Sequence, residues 1–304
     1  MFKNIVAFSA DKDLGVTSEV LNEKLAEHPF RECGAIEPSS SGWVKPLGKI
    51  GELTHAINGY ILFTLRTDEK ILPTSVVNDM LAEKVEETEE KENRKLSRKE
   101  KQSMKDEITL ALLPKAFVKT SRTHVYIDVR KNIIVVNASS ASRAEELISY
   151  LRKTLGSLPV TPLRVNDTPE VVMTNWLRSK THPNNFMIGE DCDLKDMAEE
   201  GGTVKIKGLD LFSEQVENHL ETGKQVNKLA LTWKDSIDLI INDHLELKRI
   251  KLLDTLSDQA YEAKDNAGNA AAEFDADFSI FSNAISELLD AVAEAFGGMV
   301  KAAA

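Results

Sequence analysis

The segment GWVKPLGK, Gly42 to Lys49, comes close to a loop that cradles phosphate, where glycines let backbone N–H groups wrap the anion and a hydroxyl holds Mg²⁺. Its spacing fails that chemistry. The gap between Gly42 and Gly48 is one residue too long, and Ile50 stands where the Ser or Thr belongs. The histidines (His28, His55, His124, His182, His219, His244) include no pair at helical ligand spacing, and none sits beside a cysteine, so each reads as structural. Glu273, Asp275 and Asp277 could gather around a divalent cation, yet acids in the first turn of a helix are expected from the helix dipole alone. Cys33 and Cys192 are far apart and outside any CxxC spacing, which points to buried thiols instead of a disulfide or a metal site. With no GxSxG, HExxH or dinucleotide fingerprint, the sequence nominates no reaction, and no catalytic residue, metal or cofactor is expected.

What the sequence does offer is sorted charge. Glu83, Glu86, Glu87, Glu89, Glu90 and Glu92 are followed by Arg94, Lys95, Arg98, Lys99, Lys101 and Lys105. Lys115, Phe117, Lys119 and Arg122 then set an aromatic among cations, and Lys205, Lys207, Lys224 and Lys228 form a second basic group. Two readings compete. A solvated helix with i,i+4 pairs such as Glu87–Lys91 and Glu90–Arg94 needs no ligand. A phosphate-contacting surface would use the same cations to neutralise a nucleic-acid backbone without reading a base. The 304 residues carry a formal charge of −11, so any nucleic acid must be met by a segregated surface. At 42% hydrophobic residues the chain can bury a sizeable core, and no apolar run approaches a membrane span or a signal segment. A reducing cytoplasm is expected.

The elements that would position these residues alternate β and α patterns. NIVAFSA and GYILFTLR read as strands, and Val20, Leu21 and Leu25 give a helical stripe. After Pro73, helical periodicity through Val77, Met80, Leu81 and Val85 runs into charge; Ser97 and Glu100 form a capping box that starts a second helix carrying Met104, Ile108, Ala111 and Leu112. The two helices are expected to fold back as a hairpin ending by Leu113, ahead of Pro114. THVYIDV and NIIVVNA read as a β-hairpin, and Ser142 with Glu145 as the cap of a helix ending at Gly156. Pro159, Pro162 and Pro169 mark an extended passage. TVKIKGL, KLALTW, DLIIN and LKRIKLL then read as strands around a helix from Ser213 to Leu220. KDNAGNAAAE reads as a loop before a terminal helix whose stripe runs from Phe274 to Phe296.

Taken together, FKN at 2–4, CG at 33–34, GWVKPLG at 42–48, EKILP at 69–73, LLPKAF at 112–117, LRKTLGSLPV at 151–160, KLALTW at 228–233, LKR at 247–249 and FDADF at 274–278 make the chain resemble the bacterial recombination-associated RdgC family. The resemblance implies a non-enzymatic protein that encircles duplex DNA without sequence preference as a ring-shaped homodimer. It further implies roles in replication and in restraining RecA-dependent recombination, by contact with RecA or by competition for DNA, and a nucleoid-associated location. The fold class expected is α+β: a horseshoe-like monomer with a mixed centre, a helical-hairpin tip and an α+β base. Residues 1–73 and 122–165 would form the centre, 74–121 the tip, 166–270 the base and 271–304 a C-terminal core helix. Lys115 and Phe117 would stand on a finger-like loop facing DNA, with Arg94, Lys95, Arg98, Lys99, Lys119, Lys205, Lys207 and Lys224 as further DNA contacts. At Gly208 and Leu209 the chain departs from the family pattern, so those two carry no DNA role. Val77, Leu81, Met104 and Ile108 would supply a tip contact between protomers. The alternative is a protein-interaction factor that binds a recombinase through acidic faces such as Glu83 to Glu92, with DNA binding secondary.

Overall fold

The computed structural model describes residues 2–10, 12–48, 50–196, 198, 201–254, 256, 258 and 269–300. Among them are seven α-helices and two antiparallel sheets, an α+β fold. The first sheet has the order β2-β4-β5-β6-β1-β7, with β3 added to β4. Its strands are β1 (Val6–Ala10), β2 (Ser39–Val44), β3 (Thr54–Ile57), β4 (Tyr60–Ile71), β5 (Phe117–Asp128), β6 (Ile133–Val136) and β7 (Val160–Pro162). Strand alternation sends neighbours to opposite faces. Ile61 and Phe63 pack with Leu21 and Leu25 of α1 (Ser18–Ala26) and with Leu147 and Leu151 of α4 (Ala141–Leu155). Tyr60 and Leu62 instead join the larger core, shared with the second sheet and the terminal helix.

The second sheet runs β12-β11-β10-β8-β9. It comprises β8 (Phe186–Lys195), β9 (Thr203–Ile206), β10 (Gln225–Trp233), β11 (Ile237–Asn242) and β12 (Leu247–Leu252). Helices α5 (Pro169–Ser179) and α6 (Glu214–Glu221) pack on its inner face through Met173, Leu177, Val216 and Leu220. The terminal helix α7 (Ala270–Ala295) lies against both sheets. Phe278, Phe281, Ile285, Leu288 and Leu289 are buried there, each worth about 1.5–3 kcal/mol of removed apolar surface. Polar contacts fix its rotation: Asp275 meets His55 at 2.6 Å, Asn283 accepts from Tyr60 at 2.9 Å, and Ser286 donates to the buried Asp128 at 2.8 Å.

The GWVKPLGK segment, whose spacing already argued against a phosphate loop, begins within β2. Gly42 lies in β2 because the backbone of Phe30 crosses it so closely that a Cβ would stand 2.3 Å from the Phe30 Cα. Trp43 bonds to His28 and Phe30 through its backbone and donates from Nε1 to the buried Thr154 at 3.0 Å. The helix cap is Ser140, not Ser142: Ser140 is extended and accepts from Arg143 N, while Glu246 reaches over from the second sheet to take the free N–H of Ala141 at 2.6 Å. Of the expected loop 264–273, residues 264–268 lie outside the described residues, and Ala270 to Glu273 form the first turn of α7, capped by Asn269. Cys33 and Cys192 are free thiols as expected, but only Cys192 is buried and Cys33 is half-buried. Among the described residues no helix is long and apolar enough to cross a membrane.

Candidate nucleic-acid interface

β4 and β5 are twelve residues each and pair along their whole length, from Tyr60↔Asp128 to Ile71↔Phe117. Their outer ends form a ribbon that carries α2 (Thr74–Glu92) and α3 (Arg98–Leu112) as a helical hairpin. The turn between these helices follows local rules. Asn93 adopts the left-handed conformation that ends α2 (φ 48°), and Ser97 and Glu100 form the expected capping box. Glu89 clamps the turn, accepting from Leu96 N at 2.9 Å and from Lys95 at 2.7 Å, with Lys101 at 3.1 Å. The Lys95 bond first, then the Leu96 N–H and Lys101, hold its carboxyl down at about 2.

Pairing divides the tip cations into two classes. Arg94 binds Glu100 at 2.6 Å and Glu92 at 2.7 Å, not the Glu90 that i,i+4 spacing suggests, because the left-handed Asn93 turns the chain out of the helix. Those contacts raise the already high Arg94 pKa and hold the Glu100 carboxyl down at about 2. Lys95 is likewise spoken for. Glu87 and Lys91 do pair, at 4.0 Å. By contrast Arg98, Lys99, Lys105, Lys115, Lys119 and Arg122 make no ion pair among the described residues.

Lys115 ends a short 3-10 turn, Leu113–Lys115, that Pro114 shapes. The next segment is not a finger-like loop. It is the start of β5, held by its register with β4, and this register puts Phe117 and Lys119 on one face of the ribbon. Phe117 is 84% exposed, an unusual position for so large an apolar ring. Lys115, Phe117 and Lys119 are thus brought together at the junction of tip and ribbon. Lys205 in β9 and Lys207 just after it lie on the second sheet's side, where Lys205 stands opposite Asp193, itself opposite Lys228 and bonded to it at 2.9 Å. Lys224 lies in the turn before β10 and donates to Thr222.

Of the residues expected to supply a contact between protomers, Val77 and Ile108 are buried inside the protomer, at 4% and 6% exposure, and Leu81 and Met104 are half-buried. Val76 and Met80 on α2 and Leu110 on α3 are the exposed ones, and with Ile71, Phe117 and Val118 they account for six of the twelve exposed large apolar side chains among the described residues. A strict i,i+4 count from Val76 would have found the first two.

Comparison with known proteins now bears on this geometry. The family described as "Putative exonuclease, RdgC" matches residues 1–299. The chain belongs to the RdgC family. It is 43% identical over 298 residues to the recombination-associated protein RdgC of Psychromonas ingrahamii, covering 98% of both chains. It is 39% identical over the same length, with the same coverage, to that of Yersinia pestis. Membership in the RdgC family makes this a recombination-associated protein by kinship. Among the described residues no three His, Cys, Asp or Glu side chains gather where they would hold a metal ion, and Asp275, from the acidic group at the start of α7, faces His55.

Proposed function

We propose that the protein binds duplex DNA without sequence preference, as a homodimer that closes into a ring around it, and in this way restrains recombinase-driven strand exchange. RecA would be affected by competition for DNA or by contact. The supporting observation is segregation. In a chain of net charge −11, cations that make no ion pair among the described residues flank an exposed phenylalanine at the tip, and a second cationic group lies on the outer face of the second sheet. Phosphate contacts of this kind depend on the local field and not on net charge. The exposed apolar residues Val76, Met80 and Leu110 fit a self-complementary contact between two tips, which a closed dimer requires. Two horseshoe-like protomers meeting at tip and base would leave the cations lining the hole.

Fluorescence anisotropy with two unrelated duplexes of equal length tests the reading. Equal affinities with a steep salt dependence support it; absence of binding at low salt sinks it. A second reading, a protein-interaction factor, draws on the exposed acidic residues Glu83, Glu86, Glu87 and Glu90 of α2. Converting Lys115 and Lys119 to Glu separates the two, because partner binding through α2 would survive while DNA binding would not. The exonuclease description is tested by incubating end-labelled duplex with the protein and Mg²⁺ or Mn²⁺; the proposed role predicts no shortened product.

A further inference from the structure

The strand β12 breaks its own alternation. Leu247 is buried and Lys248 points outward, so a regular strand would turn Arg249 into the core and Ile250 out. The opposite is found: Arg249 is exposed and Ile250 is 8% exposed. The cause is a β-bulge. Pairing with β11 shifts between Asp238↔Lys251 and Ile240↔Lys248, and Arg249 takes a left-handed conformation at φ 53°. A side chain with a Cβ carries a steric cost there, and bulges often serve to re-aim a side chain. The result is two consecutive cations on the same face of a sheet.

That face is not flat at this point. A cavity of about 230 Å³ opens between β9, β8, β10 and β12, and five cations line it: Lys205, Lys207, Lys228, Lys248 and Arg249. Asp191 and Asp193 are its two lining carboxylates and Glu246 pairs with Lys248, leaving two positive charges in excess within an acidic chain. Their partners are known. Asp193 holds Lys228 at 2.9 Å, Asp191 stands 3.9 Å from Arg249, and Lys248 reaches the buried Glu246 at 2.7 Å. The carboxylates therefore hold three of the five cations in place and leave Lys205 and Lys207 free of an ion pair among the described residues.

We propose that this cavity is a binding pocket for a single phosphate group, with Arg249 and Lys248 as its anchoring donors and Lys205 and Lys207 closing over the anion. A guanidinium suits two phosphate oxygens at once, and the lysines add point charge. On the DNA-binding reading above, on which this rests, the phosphate is one of the DNA backbone, and the pocket fixes where the second sheet meets the duplex. A free phosphate compound would satisfy the same donors. The sequence held a signal for it: LKRIKLL places Lys248 and Arg249 side by side, which a half-buried strand cannot accommodate without a bulge.

The left-handed backbone at Arg249 makes a clean test possible, because Asn tolerates that conformation and R249N removes the charge without adding strain. The paired variant K248Q/R249N is compared with the wild type in two assays. In salt-dependent DNA binding the slope falls, but by less than the about 1.8 of two free contacts at about 0.9 each, because Lys248 is paired with Glu246 at 2.7 Å and Arg249 stands 3.9 Å from Asp191. Unchanged slope and affinity in a variant that still melts like the wild type, while the wild type binds DNA, overturn the pocket. In the other assay, pyrophosphate is added at constant ionic strength and the melting temperature is followed. A rise in the wild type that the variant lacks supports the pocket even if no DNA binds, in which case the DNA reading alone has failed. If neither DNA nor pyrophosphate distinguishes the two proteins, there is no phosphate site here.

Discussion

Replacing Lys115 and Lys119 together by Gln should flatten the salt dependence of DNA binding far more than replacing Arg94 and Lys95, although all four are tip cations. The reason lies in pairing. Arg94 is shared between Glu100 and Glu92, and Lys95 is held by Glu89 at 2.7 Å, so each is already neutralised and has no condensed counterion of DNA to displace unless its carboxylate lets go. Lys115 and Lys119 are exposed and make no ion pair among the described residues. Each free contact contributes about 0.9 to the slope of log affinity against log salt, so K115Q/K119Q should lose about 1.8. Between about 50 and 200 mM salt, that difference makes the wild type lose roughly 12-fold more affinity than the variant. R94Q/K95Q should lose less than one contact's worth, and its main effect should be a tip that unfolds more readily. Anisotropy titrations at four or five salt concentrations, with circular dichroism to verify folding, measure both. If R94Q/K95Q flattens the slope as much as K115Q/K119Q does, the division of the cations by their carboxylate partners is wrong.

Three further outcomes follow from the same structure. M80D/L110D puts charge on exposed apolar positions of the tip and should open the ring or give a monomer by light scattering with unaltered helix content, whereas an unchanged dimer with unchanged DNA retention would remove the tip contact from the proposed ring. G42A should be destabilised by more than the about 1–3 kcal/mol of ordinary overpacking, because the new Cβ meets backbone atoms of Phe30 at 2.3 and 2.5 Å and no side chain can move aside; urea unfolding reads this directly. Glu89, held at about 2 from an ordinary 4.5, lends stability that is complete above the unfolded value and is lost as pH falls from about 4.5 toward about 2. Amide exchange in the 93–101 turn should therefore be faster in E89Q than in the wild type at pH 7, and the two should converge near pH 2.

Signals written in local sequence were legible. The Ser97–Glu100 box, the β5–β6 hairpin and the stripe of α7 each depend on a few neighbours, and the structure shows all three. Features decided by distant partners were not. β2 reads SSSGWV, which no propensity marks as a strand; it forms because β4 lies alongside and the 28–30 segment bonds to Trp43. β8 was missed because its outward positions carry Glu190 and Asp193 and its buried ones are few, so the alternation is faint. Phe117 and its neighbours looked like a loop because their partner strand lies more than forty residues earlier in the chain. At the tip, periodicity marks an apolar face without saying whether it closes on its own hairpin, as at Val77 and Ile108, or stays exposed, as at Val76 and Met80. The candidate site was half legible. Charge clustering named the cations, but which of them are neutralised by a carboxylate is a property of the turn at Asn93 and of the bulge at Arg249, and neither can be counted from spacing.

The position of α7 between the sheets sets an order of events during synthesis. Tyr60, Leu62, Tyr126 and Val135 from the first sheet, and Leu229, Leu231 and Ile241 from the second, share one cluster with Phe278, Phe281, Ile285 and Leu289 of that helix. Until residues 270–296 have emerged from the ribosome, both sheets present a sticky apolar face and can cover it only with each other or with another nascent chain. Contacts of such long sequence separation form slowly and leave intermediates prone to aggregation. Completion of the fold is thus deferred until α7 has been made, and a chain released before α7 should be a client for chaperones and proteases, not a weaker version of the protein.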